Sequence, residues 1–409
     1  MSEKFAAFKH TSYQRYFLAR FLTSLAANII AVAVAWQLYD ETESAIFLGW
    51  LGLVQFLPAL LLVLVVGVVC DRFGRRNIMG LSILVEMGCA LTILGMALTG
   101  WFNPIWVLVV MTVLGSARAF MYPAAASLAV NIVPRKDFAN AAGFNASSWQ
   151  AASIVGPAAG GLLYGVSAGT AYASASLIFA IAAVLVFIIP KPEQARGATG
   201  TNLSTLFGGF RYVWKEKIIL GAISLDLFAM FLAGAVALMP IYARDILELG
   251  PIGLGLLRAA PGIGAIAVIL FLAAVPIKDH AGHILFVCVG LFGASTILFG
   301  YSTVAWLSIL ALMLIGAFDM VSVYVREVLM QLWTPDEVRG RVNAVNSIFL
   351  GASNELGEAR AGFMAAKWGT VFTVVAGGYA AIGVAGIWAL MFPKLRQSRY
   401  LHEGRPEQE

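Results

Sequence analysis

Charge is scarce in this chain. Aspartate, glutamate, lysine and arginine make up 12% of its 409 residues, about half of the roughly 25% usual in soluble globular domains. Apolar residues make up 60%, and the mean hydropathy is +0.85. That combination excludes an ordinary soluble domain. Cysteine is scarcer still: Cys70, Cys89 and Cys288 set up no disulfide framework, and Cys89 and Cys288, inside apolar runs, read as small core residues. The four histidines fall in expected loops or tails, which excludes a buried histidine relay. No Gly-x-x-x-x-Gly-Lys-Ser/Thr segment occurs, so nucleotide hydrolysis is not the energy source. The net charge of +5 is spread over short segments rather than gathered on one face, which argues against nucleic acid. The alternating segments of about ten residues that mark an outer-membrane barrel are absent.

What the chain has instead is long apolar runs. Twelve are long enough to cross a hydrocarbon core of about 30 Å: 15–39, 45–69, 78–98, 104–130, 139–165, 170–189, 217–243, 251–275, 283–302, 304–331, 339–365 and 370–392. The first is too long for a signal-peptide core and is expected to remain as a span. With both termini cytoplasmic, twenty of the 27 lysines and arginines fall on the cytoplasmic side. Only Arg244 and Lys367 fall outside, and Arg20, Arg118, Arg258, Arg326 and Arg360 lie within spans. This asymmetry predicts that orientation, in a multi-pass membrane protein.

The expected organisation is a six-helix bundle over 1–190, a cytoplasmic linker over 191–216, and a second six-helix bundle with a short cytoplasmic tail over 217–409. The linker opens Pro190-Lys191-Pro192 and is polar. Its later part, Leu203 to Trp214, reads equally as an amphipathic helix at the membrane surface or as the start of span seven. The halves repeat each other. Leu51-Gly52-Leu53-Val54-Gln55-Phe56-Leu57-Pro58 matches Leu254-Gly255-Leu256-Leu257-Arg258-Ala259-Ala260-Pro261. Gly115 and Arg118 match Gly316 and Asp319, Val133-Pro134 matches Thr334-Pro335, Asn145 matches Asn346, and Gly156 and Gly161 match Gly357 and Gly362, at a constant offset of 201 residues from Gly115 onward. Parallel repeats of this kind mark a transporter architecture in which two halves rock around a site near the midplane.

Between spans two and three lies the densest charge in the chain, Gly67-Val68-Val69-Cys70-Asp71-Arg72-Phe73-Gly74-Arg75-Arg76, read as a tight charged loop. Gly67, Asp71, Arg72, Gly74, Arg75 and Arg76 resemble the loop signature of the major facilitator superfamily. A worn copy with the same Asp-to-Gly spacing stands at Asp279 and Gly282, its basic positions reduced to His280 and His283. Asp71 is suited to cap a helix end and pair with an arginine, and Gly74 to permit the turn. Such a cluster works as a gate that is made and broken, or else as a basic loop that only sets topology. Gly156-Pro157-Ala158-Ala159-Gly160-Gly161 resembles the Gly-Pro-x-x-Gly-Gly element of the superfamily's antiporters and drug exporters, or serves close helix packing alone. The resemblance covers essentially the whole chain and is strongest to the group of siderophore and macrolide exporters. It implies an all-α, twelve-helix membrane fold with two pseudo-symmetric bundles.

Ionisable residues inside spans are expensive and point to function, each with a structural ion pair as its alternative. The proton-coupling candidates are Arg118, Asp319, Glu355, Glu358, Asp226 and Glu86. Arg118 resembles the buried arginine of the superfamily's fourth helix, and Asp319 is its repeat counterpart. Both are expected to face the central cavity. Glu355 and Glu358 share one face of span eleven with a polar stripe, Asn343, Asn346, Ser353 and Asn354. Arg360 lies off that face, suited to pair with an acid on a neighbouring helix. Arg326 and Glu327, nearer the cytoplasmic end, read as gate or structural residues. Span one holds Arg20 but no acid before Asp40. Candidates for the substrate cavity are Arg20, Asn346, Asn354, Trp149, Phe228 and Tyr324, the aromatic ones suiting a large amphipathic compound or simply packing. The expectation is a proton-coupled exporter of drugs, macrolides or siderophores, acting as a monomer in the lipid bilayer. No enzyme activity, cofactor, metal or nucleic acid is expected. An uptake permease of the same fold and a gradient-independent lipid transporter are the alternatives.

Overall fold

In hydrocarbon there is no water to satisfy a peptide group, so an apolar chain must satisfy its backbone within each segment, and the helix does so. The computed structural model describes residues 5–191, 203–275, 277 and 279–397, and among them there is no strand. Lys4, Arg196, Lys278, Arg399, Arg405, the linker stretch 192–202 and the tail from 398 lie outside the described residues. The first six long helices are α1 (Thr11–Thr42), α2 (Ala45–Arg72), α3 (Arg75–Thr99), α4 (Pro104–Ile132), α5 (Phe138–Val166) and α6 (Ala168–Ile188). Then come α7 (Leu203–Lys215), α8 (Lys217–Ala233), α9 (Gly250–Ala274), α10 (Ala281–Tyr301), α11 (Ala305–Trp333), α12 (Asp336–Trp368), α13 (Thr370–Met391) and the short α14 (Pro393–Arg396).

Local sequence sets several helix ends. Asn103 accepts hydrogen bonds from the N–H groups of Ile105 and Trp106, with Pro104 in the first turn. Ser167 caps α6 through the Thr170 N–H at 3.0 Å. Gly100 closes α3 with φ +68°, a conformation open to glycine.

Among the described residues ten helices are long and apolar enough to cross a membrane: α1, α2 over Ala45–Val63, α3, α4, α6, α8 with its continuation to Ile246, α9 to α11, and α13. The two remaining long helices, α5 and α12, have 29 and 33 residues but carry many polar side chains. Leucines exposed along the helices, such as Leu61, Leu98 and Leu390, give outer faces suited to lipid.

The chain divides into two compact units. One comprises 1–43, 53–201 and 248–259, the other 44–52, 202–247 and 260–409. In the first, α3 packs on α4 and α6, and α1 on α5 and α6. In the second, α10 packs on α11 and α13, and α8 on α12 and α13. These are the same pairings, each helix replaced by its repeat counterpart.

Repeated glycines bring the backbones together. A Cβ on Gly115 would stand 2.6 Å from the Gln55 carbonyl oxygen of α2, and one on Gly316 would collide with the Pro261 carbonyl of α9. Gly156 and Gly160 lie against Asn28 and Ile29 of α1, as Gly357 lies against Met230 and Phe231 of α8. Gly161 meets Pro251 and Gly255 in the opening turns of α9, and Gly362 meets Gly49 and Ala45 in the opening turns of α2. Each contact is internal to one unit.

The later linker is a helix of its own. Glu216 is extended (φ −87°, ψ 97°) and separates α7 from α8. Tyr212 of α7 donates to the Trp333 carbonyl at 3.2 Å, and Val213 is buried with Met330, Val342 and Val345. At the other end of the chain, the Ala7 N–H donates to Asn140 Oδ1 at 3.1 Å, and Tyr13 Oη donates to the Ala141 carbonyl at 3.0 Å.

Gly115→Ala should destabilise the protein by about 1–3 kcal/mol through overpacking. Gly88→Ala, with nothing within 4 Å of the new methyl, should be neutral or stabilising. Thermal unfolding in detergent compares the two.

Candidate functional site

The densely charged segment is mostly helix. α2 runs through Asp71 to Arg72, and only Phe73 and Gly74 lie outside helices. The expected ten-residue loop is therefore corrected to a two-residue turn: the apolar run stops at Val69, but the helical hydrogen bonds do not. Gly74 is the N-cap of α3 (φ −63°, ψ 118°). Arg75 Nη1 donates to Asn131 Oδ1 at 2.7 Å, and Arg76 Nη1 donates to the Ile189 and Phe187 carbonyls at 2.8 and 3.3 Å. Both arginines hold the C-terminal ends of neighbouring helices, α4 and α6, where unsatisfied carbonyls and the helix dipole favour cations. The worn copy does not reproduce this. Asp279 instead accepts from the His280 N–H at 2.7 Å, and Gly282 packs tightly on the Leu395 carbonyl. His283 lies in the first turn of α10 rather than in a loop.

In the first unit, Glu86 of α3 is fully buried and stands 3.9 Å from Arg118 Nε of α4. Arg118 also donates to Gln55 Oε1 at 3.3 Å and to the Ala27 carbonyl at 3.4 Å. This cluster has one acid and one base. Arg20 donates to Tyr16 Oη at 2.9 Å, and Tyr16 in turn donates to the Ala125 carbonyl at 3.0 Å.

The second unit holds a different cluster. Arg326 of α11, only 1% exposed, forms an ion pair with buried Asp226 of α8. A cavity of about 10 Å³, near the least that holds one water, is lined by Asp226, Asp319, Ser322, Met230, Phe292 and Phe318. Two carboxyl groups and one guanidinium thus meet inside one bundle. Arg326 had read as a gate or structural residue near the cytoplasmic end, yet it is the counter-charge of this cluster. Its spacing was the available signal: Arg326 lies two helical turns after Asp319, on the same face.

The other candidates separate. Asn346 is buried and donates to Glu327 Oε1 at 3.2 Å, so its amide serves the contact between α11 and α12. Phe228 lies against Trp388 of α13 with the rings tilted by 51° and 5.1 Å between their centres, and Tyr324 packs against the Leu225, Val325 and Leu329 core. Trp149 is 54% exposed on α5 and Asn354 is exposed on α12. Glu355 and Glu358 are partly buried on α12. Arg360 was expected to meet an acid, but its donors go to the Phe231 and Leu232 carbonyls of α8. The reason is local: α8 breaks there and leaves those acceptors open.

The family model of the Major Facilitator Superfamily matches residues 16–322. The enterobactin exporter EntS of Shigella boydii serotype 4 is 25% identical over 411 residues, covering 95% of this chain and 94% of the relative. EntS of Escherichia coli O81 matches to the same extent. Among solved structures, a bacterial homologue of the human lysosomal transporter Spinster, inward-facing and unoccupied, superposes with a TM-score of 0.74 at 14% identity, over 95% of this chain and 98% of that one. The nucleoside transporter NupG gives 0.69 at 12%, over 93% and 99%. At these identities the structural likeness establishes the fold.

Arg326→Met should destabilise the second unit by about 3–5 kcal/mol, because it leaves Asp226 without its counter-charge. Asp226→Asn combined with Arg326→Met should recover much of that loss. Thermal unfolding of the single and double variants in detergent measures the difference.

Proposed function

The chain belongs to the major facilitator superfamily, and we propose that it is a proton-coupled exporter of amphipathic small molecules. It is a multi-pass membrane transport protein and not an enzyme. In this reading α5 and α12 also cross the membrane, giving twelve spans in two bundles, 1–190 and 217–409, joined through 191–216. Both termini are cytoplasmic, as the lysine and arginine asymmetry favours, and the protein works as a monomer in the bacterial inner membrane.

The observation that carries the coupling is the imbalance of charge in the second unit. In the first unit one acid, Glu86, faces one base, Arg118, so their formal charges balance. Those of Asp226, Asp319 and Arg326 do not: with both acids ionised the cluster, in which Asp319 is half-buried, carries a net negative charge inside the bundle, which is costly. A proton on Asp319 leaves the Asp226–Arg326 pair balanced. Asp319 is therefore the proposed proton carrier, with Arg326 and Asp226 as its fixed electrostatic frame. Loss of that proton to the cytoplasm, down its gradient, supplies the energy that moves substrate outward by alternating access.

Direction and substrate rest on separate support. The Gly156–Gly161 element resembles that of exporters, and the EntS relatives are named for export of enterobactin. Siderophores, macrolides or other drugs are the proposed substrates. The segment from Gly67 to Arg76 is the proposed cytoplasmic gate, with Arg75 and Arg76 anchoring it to α4 and α6.

Everted membrane vesicles test this directly, with enterobactin and a macrolide as probes. Wild-type protein should accumulate a probe, and an uncoupler should abolish the accumulation. Asp319→Asn should reduce it to the vector background with the protein still folded, while Glu86→Gln should keep gradient dependence. Wild-type coupling in Asp319→Asn would make Asp319 structural. Higher accumulation in whole cells than in the vector control would establish uptake instead.

A further inference from the structure

α8 ends at Ala233 with Gly234 as its C-cap, and no proline stands at the break. Gly234 turns away from the helix (φ −57°, ψ 111°), while its N–H still bonds the Met230 carbonyl at 3.0 Å. In an unbroken helix the next acceptors, the Phe231 and Leu232 carbonyls, would take the N–H groups of Ala235 and Val236. Here they take one guanidinium. Arg360 Nε of α12 is 2.9 Å from the Phe231 oxygen, and Nη2 is 2.7 Å from the Leu232 oxygen. Nη1 reaches Met364 Sδ at 2.9 Å, and the guanidinium carbon lies 5.9 Å from the centre of the Phe231 ring.

Glycines make room for this joint. A Cβ on Gly357 would stand 3.0 Å from the Met230 oxygen, and one on Gly377 would stand 2.5 Å from the Leu232 oxygen. Beyond the break the chain continues irregularly, through a 3₁₀ turn at Val236–Leu238, one α turn at Met239–Ile241 and a π turn at Tyr242–Ile246. Tight and wide turns within a helix often mark working sites.

The sequence at the break is what makes it reversible. A permanent break in a membrane helix is usually made by proline, whose missing N–H orphans a carbonyl for good. Neither Ala235 nor Val236 is a proline, and the nearest one follows at Pro240. Both amides remain able to rejoin the helix. The Arg360 fork matches two adjacent acceptors, which a lysine ammonium cannot do with the same geometry.

We propose that Arg360 is a positioning residue of the transport cycle, which stands in for two backbone amides so that α8 exchanges between a broken form and a continuous one. In the broken form the guanidinium holds the Phe231 and Leu232 carbonyls. In the continuous form the Ala235 and Val236 N–H groups retake them, and the arm from Val236 to Ile246 swings. This rests on the chain being a transporter and not on which acid carries the proton.

The test places spin labels on either side of the joint, at Phe228→Cys and Asp245→Cys, in full-length protein with its three native cysteines replaced. Distances are measured in nanodiscs by pulsed electron resonance. Without other substitutions, two distance populations are expected, in a ratio that changes with pH or added enterobactin. Arg360→Met should collapse them onto the continuous form, with slower hydrogen exchange at Ala235 and Val236. In vesicles it should lower turnover more than it raises the half-saturating substrate concentration. Should Arg360→Met fail to fold, Arg360→Lys should shift the populations in the same direction by a smaller amount. A single unchanged distance in every condition would overturn the proposal. So would Arg360 variants with unaltered populations and turnover.

Discussion

A charge placed in hydrocarbon must be met by an opposite charge or by backbone dipoles, and this constraint organises the interior of both units. Glu86 is met by Arg118, Asp226 by Arg326, and Arg360 by two carbonyls of a broken helix. Each solution fixes which helices lie together: α3 on α4, α8 on α11, α12 on α8. The clusters differ in one respect that bears on function. The Glu86–Arg118 cluster is balanced in formal charge, and the Asp226–Asp319–Arg326 cluster has an acid to spare. A pair of bundles built from one repeat has thus kept the helix pairings and made the charge unequal.

Those pairings depend on backbone approach as much as on charge. Glycines 201 residues apart occupy corresponding crossings, Gly115 with Gly316, Gly156 with Gly357 and Gly161 with Gly362. At each, the position of a methyl group would be taken by the neighbouring chain. The Gly-Pro-x-x-Gly-Gly element is therefore a packing device on two faces of α5, one toward α1 and one toward α9. That does not compete with a role in export, because close contact is what lets a helix transmit movement.

Much of the fold was legible in the sequence because it rests on long-range regularities: run length, charge asymmetry and a fixed repeat offset. The site was legible only in part. Asp226 and Asp319 stood out as acids in apolar runs, but their common partner did not, since Arg326 looked peripheral when judged by distance from the helix end. The charged segment at Gly67–Arg76 looked like a loop because hydropathy falls at Val69, whereas the backbone stays helical for three more residues. Arg360 seemed to need an acid. What it binds is created by the break in α8, and no proline announces that break. Asn346, Phe228 and Tyr324 carried no mark separating cavity from packing, since amides and aromatics serve both.

Proton coupling through the second unit requires that its acid-rich cluster hold an exchangeable proton. Infrared difference spectroscopy of the purified protein in lipid, titrated across pH, reads the C=O band of protonated carboxyl groups. A band that disappears as pH rises, and that is missing in Asp319→Asn but present in Glu86→Gln, is the predicted result. A band that survives in Asp319→Asn, or that is lost in Glu86→Gln, would contradict it.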